Sequence, residues 1–198
     1  MLVGLCLPVG AFGQSTEPHK DAKSTSHAEI TKFFIEEPRK GSGYETGPLH
    51  IIYEDGSEFV KTLPPLEASS KTEIVFNSVG FSHVQLAADR QTLGWTIDVE
   101  NCCTSYSIPM SVVVLRHKQV LHTFAQGQMV WSWMFFQGGK KLAVVFGTTH
   151  GLEVGDYRLY DVNTDRLISE IRGDEDTQSL GSNAPKWAKL LEERLHNN

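Results

Sequence analysis

From Ser82 onward, short runs of β-forming residues alternate with turn residues in an order that occurs twice. Such an order confines the chain to antiparallel hairpins. In the first unit His83–Ala88 precedes a turn at Asp89-Arg90 and a strand through Gly94-Trp95-Thr96-Ile97. A loop holding Cys102 and Cys103 then leads to Met110–Arg116, a turn near His117-Lys118 and a strand from Val120 to Phe124. The second unit repeats this with Met129–Phe136, a turn at Gly138-Gly139, Leu142–Phe146, a loop at Thr148–Gly155, Tyr157–Val162, a turn at Asn163-Thr164-Asp165, and Leu167–Ile171. The expected fold is therefore all-β, built from antiparallel four-stranded meander repeats over 82–125 and 128–171.

The two units are offset by about 45–49 residues, within the range of propeller-blade repeats. The segments Leu86-Ala87-Ala88-Asp89, Gln137-Gly138-Gly139-Lys140-Lys141-Leu142-Ala143 and Tyr157-Arg158-Leu159-Tyr160-Asp161-Val162-Asn163-Thr164-Asp165 resemble blades of TolB-type and WD40-like β-propellers. In that family a strand, an Asp-Gly-Lys turn and a second strand precede a Tyr-Asp-x-x-Thr-Gly hairpin. The resemblance covers roughly residues 82–171. The sequence departs from it at Arg90 and Asp165, where the family has Gly. A closed propeller needs about four blades, and only two are legible. Two packed meanders, or a partial propeller completed by self-association as a homo-oligomer, are the expected architectures. The resemblance implies a scaffold that presents a binding surface.

Upstream, His50–Leu63 reads as a hairpin, with Asp55-Gly56 as a type I′ turn between β-formers and Pro64-Pro65 as the stop. Ile74–Phe76 is a shorter apolar run ended by Asn77 and Gly80. A β domain over 29–172 is expected, followed at 173–198 by an acidic loop and an amphipathic helix. Asn183 can cap that helix and Pro185 falls in its first turn, while Trp187, Leu190, Leu191 and Leu195 share one face. The face either docks on a sheet or binds a partner.

Residues Leu2–Phe12 are apolar, too short to span a bilayer as a helix, and end in Ala11-Phe12-Gly13 ahead of Gln14. This pattern predicts an export signal over 1–13, cleaved before Gln14, and a periplasmic or extracellular location for a mature chain without a membrane span. The basic segment that usually opens such a signal is missing, so the true start lies upstream or the signal is weak. Leu5 stands where lipidation at Cys6 would need a small residue, which argues against a lipoprotein. Residues 14–28 lack aromatic and large aliphatic side chains and read as a flexible tether.

With 18 Lys+Arg against 24 Asp+Glu, the net charge of −6 offers no basic stripe for nucleic acid. Candidate chemistry is sparse. Cys102 and Cys103 are the two thiols of the mature chain, and neighbouring Cα atoms are closer than an ordinary disulfide wants. A strained vicinal bridge, free thiols, a soft-metal site and links between chains all stay open for that loop, which also carries Tyr106. Asp161-x-Asn163-x-Asp165 resembles the start of a calcium loop, but Arg166 and Arg172 stand where Gly and Glu belong, so an Asp/Asn turn is expected. His150 lies in a long loop and is a candidate general base. Trp131, Trp133 and Phe135 are expected on one face of a strand, as core or as a binding platform. The sequence holds no HExxH, CxxC, Gly-x-Ser-x-Gly or phosphate loop, so no cofactor or metal is expected. The reading is an exported binding scaffold for a protein or envelope ligand, with an exported redox or hydrolytic enzyme built on the cysteine loop or His150 as the alternative.

Overall fold

The computed structural model describes residues 28–37, 46–63, 77–101, 106–125, 127–148, 155–173 and 180–197. The expected export signal, most of the tether and the run 74–76 lie outside them, as do Cys102, Cys103 and His150. Among the described residues, eleven strands and one helix follow in chain order: β1 Ile30–Ile35, β2 Leu49–Tyr53, β3 Glu58–Lys61, β4 Ser78–Leu86, β5 Thr92–Val99, β6 Ile108–Arg116, β7 Gln119–Ala125, β8 Met129–Phe136, β9 Lys141–Gly147, β10 Asp156–Asp161, β11 Leu167–Arg172 and α1 Lys186–His196. They form three antiparallel sheets, β1-β2-β3, β4-β5-β6-β7 and β8-β9-β10-β11. The two legible repeats are the second and third sheets. β1 had no counterpart in the sequence reading; it turns the hairpin at 50–63 into a sheet of its own.

The sheets stack, and period-two alternation shows how. In β6, Val113 and Leu115 pack toward the first sheet with Ile51, Tyr53, Leu93 and Trp95. Val112 and Val114 pack the other way, against Trp133, Leu142, Val144 and Phe146 of the third sheet. In β9, Ala143 and Val145 turn to α1, where Ala188 and Leu191 are buried. Both repeat sheets are thus covered on both faces, which is why their central strands are near-continuous apolar runs. The order is first sheet, second sheet, third sheet, helix.

Aspartates clasp two of the turns, β4–β5 and β10–β11, at one end of the stack. Asp89 accepts from the Gln91 and Thr92 amides at 3.0 and 2.9 Å and from the Thr92 hydroxyl at 2.6 Å. Asp161 does the same with the Asn163 and Thr164 amides and the Thr164 hydroxyl. Those bonds, the Thr164 hydroxyl first, hold its carboxyl below the usual range. Asp161-x-Asn163-x-Asp165 is therefore a turn, and it is used as one. Arg116 ties these turns together: its Nε donates to Thr92 Oγ1 (2.6 Å), one Nη to Gly139 O (2.7 Å) and the other to Asn163 Oδ1. Arg90 and Asp165, the two departures from glycine, sit at φ +55° and +56°. Their positions demand the left-handed region, and these side chains accept it.

Three local expectations are corrected. Only Gly56 in the Asp55-Gly56 turn has positive φ (+77°), so the loop is not type I′. It is His117-Lys118 that takes positive φ at both positions (51° and 64°). Gly80 does not end a strand; it lies inside β4. Asn183 does not cap α1: Pro185 occupies that position without a side-chain bond, and its carbonyl accepts from the Ala188 and Lys189 amides. The apolar face of α1 docks on the third sheet, so the partner-binding alternative for that face falls away.

Candidate functional site

β4 and β8 are the first strands of their sheets and both are edges. They meet where Gln85 Nε2 donates to Trp133 O at 3.0 Å. Each carries a bulge, β4 between Ser82 and Gln85 and β8 between Val130 and Ser132. A bulge leaves one residue unpaired and re-aims its neighbours, and such irregularities concentrate beside functional sites. Here both open on the same small cleft, lined by His83, Gln85 and Thr96 from the second sheet, Val130–Trp133 from β8, and Arg194 from α1.

The bulge in β8 overturns the expectation that Trp131, Trp133 and Phe135 share a face. Trp133 and Phe135 pack toward the second sheet, edge to face with centroids 5.4 Å apart. Trp131 is turned to the helix side and donates from Nε1 to Thr148 O at 3.2 Å. Two glycines make room for these rings. A Cβ on Gly94 would lie 2.6 Å from Trp133 Cη2, and one on Gly147 would lie 2.0 Å from Trp131 Cζ2. Trp133 is core at 2% exposure, while Trp131 is half-buried at the rim.

In β4 the bulge holds His83 at φ +48°, left-handed for a residue with a side chain. Its imidazole Nδ1 lies 3.0 Å from Ser82 Oγ. Ser82 in turn donates to Asp98 Oδ1 at 2.7 Å and lies 2.6 Å from Thr96 Oγ1. Burial, only partly offset by the Ser82 bond, raises the Asp98 carboxyl above its ordinary value. A serine nucleophile needs its proton aimed at a base that a third group orients. The Ser82 proton goes instead to the carboxylate, and the histidine sits on the far side of the hydroxyl. The cluster is a polar clasp that fixes the imidazole at the cleft wall.

Tyr106 is half exposed and is not among the cleft residues. The structure thus brings Trp131 and Trp133 together with residues the sequence reading passed over, namely His83 at the bulge, Ser132 and Arg194. The β4 signal was present in the sequence: Phe81, Val84 and Leu86 break period two by one residue around the polar pair Ser82-His83. Among the described residues no group of three or more His, Cys, Asp or Glu side chains is placed to hold a metal ion. No described helix is long and apolar enough to cross a membrane. No protein-family model matches the chain, and no curated protein matches it.

Proposed function

We propose that the chain is an exported, propeller-like binding scaffold that engages a protein or envelope ligand at the cleft between β4, β8 and α1. The observation that carries this reading is the convergence of two bulges and a left-handed histidine on one cleft. A residue held in the left-handed region costs of order 1 kcal/mol or more, and such strain collects at ligand clamps. The three sheets, stacked in one order with their clasped turns at one end, support the likeness to successive blades. Exposed edge strands are normally blunted; here the Gln85 bond and the bulges do so while leaving side chains at the rim.

The test has two parts. Intact mass of the protein secreted from an expressing host should give a chain beginning at Gln14; an uncut chain retained in the cytoplasm would overturn export. The secreted protein is then sedimented with a purified cell-envelope fraction of that host. Wild type and Phe34→Ala should co-sediment, whereas His83→Ala and Trp131→Ala should stay in the supernatant. Equal partition of all four would overturn the cleft as the binding surface.

A further inference from the structure

Two of the five buried side-chain polar atoms without a partner among the described residues belong to residues that line this cleft. Ser132 is 6% exposed and Trp133 2% exposed, and both line it. Neither Ser132 Oγ nor Trp133 Nε1 has a hydrogen-bond partner among the described residues. Buried polar atoms are nearly always satisfied, so an unsatisfied pair beside an opening asks for a ligand. Arg194 lies in the last turn of α1 and reaches the same cleft, and it makes no ion pair among the described residues. Arg90, Arg116 and Arg158, by contrast, each meet a carboxylate.

A hydroxyl, an indole N–H and a guanidinium are all able to donate, and two of these three donate only. The Asp98 carboxylate is turned inward to Ser82 and Thr96. Apolar ligands would leave these donors unpaired, and cations would meet Arg194. We infer that the cleft receives an oxyanion head group, a carboxylate or a phosphate, with Arg194 supplying the charge and Ser132 and Trp133 the directional hydrogen bonds. This inference rests on the reading of the cleft as the binding surface and names what that surface selects.

Indole ¹H–¹⁵N signals of the intact protein provide the test. Titration with inorganic phosphate and with acetate should shift the Trp131 and Trp133 signals saturably and leave Trp95, which faces the first sheet, unmoved. Tighter binding of phosphate than acetate would identify a phosphate head group, and the reverse order a carboxylate. Arg194→Gln should weaken binding by about tenfold, the scale of one charge-assisted contact, and Arg194→Lys should retain part of it. The unmoved Trp95 signal reports that each variant is folded. Shifts that never saturate, or that are equal in wild type and Arg194→Gln, would overturn the assignment. Saturable shifts with neutral N-acetylglucosamine and none with either anion would overturn the oxyanion while sparing the cleft. Silence with all three probes would count against both.

Discussion

The interface between the second and third sheets and the outer face of the first sheet are made of the same kind of strand, yet they are finished in opposite ways. At the interface, shape is matched residue to residue: the Trp133 ring fills the space over Gly94, and Val112, Val114, Leu142, Val144 and Phe146 are all fully buried. On the outer face, Phe34 and Val60 remain 38% and 45% exposed. Polar contacts cover that face instead. His50 stacks on Phe34 with ring centroids 4.7 Å apart and reaches Glu58 at 2.6 Å and Glu36 at 2.8 Å. Lys32 lies over the Phe34 ring. Stacked sheets need their terminal faces capped. α1 caps one end with apolar side chains, and a polar lattice around one histidine caps the other.

This contrast sets the sizes of the expected effects. Trp133→Ala should cost about 3–5 kcal/mol in chemical denaturation, because it removes a large side chain and leaves a cavity between two sheets. Phe34→Ala should cost less than about 1 kcal/mol, since its ring is already partly in water. Similar losses for the two would break the distinction between interface and cap.

The turn end sharpens it further. Arg116→Ala removes the side chain that ties the turns of the second and third sheets and strands Gly139 O and Asn163 Oδ1, so a loss of about 2 kcal/mol is expected. Lys118→Ala breaks the link from the second sheet to Asp55 at 2.8 Å, but both partners are well exposed, and less than about 1 kcal/mol should follow. Thermal melts of the two variants in parallel provide the check.

The smallest effect belongs to the polar cap and appears as a pH dependence. The Glu58 hydrogen bond, followed by the Glu36 bond and opposed by desolvation, raises the His50 imidazole above its ordinary value of 6.5. A group raised on folding contributes stability that is fully present below pH 6.5 and is lost as pH climbs through the folded-state value. Melting temperature should therefore fall slightly over that window, and His50→Ala should flatten the fall. An unchanged slope in the variant would separate His50 from the cap.

The strands of both repeats were legible because their alternation and turn residues are strong local signals; all lie within two residues of their expected places except β4, which starts five residues earlier than expected. β1 escaped because Ile30–Ile35 places Thr31 and Lys32 among its apolar residues, and its pairing partner β2 is distant in sequence. The faces of Trp131 and Trp133 were misassigned because a bulge within a run apolar on both sides leaves no mark on the pattern. Arg194 could not be placed at the cleft from the helix period alone, since the cleft exists only where three elements from distant parts of the chain meet. Of the residues singled out in advance, Trp131 and Trp133 reached the cleft; Cys102, Cys103 and His150 lie outside the described residues.

The central claim is that His83 is held in a strained conformation for the sake of the cleft rather than for the fold. Chemical denaturation of His83→Gly tests it most directly. Glycine adopts φ +48° freely, and that relief competes with the greater entropy glycine brings to the unfolded chain. If the strain serves binding, the variant should match wild type or exceed it by up to about 1 kcal/mol while losing envelope binding. A loss of stability greater than about 1 kcal/mol would mean that the imidazole clasp to Ser82 holds the sheet together, and would contradict the account.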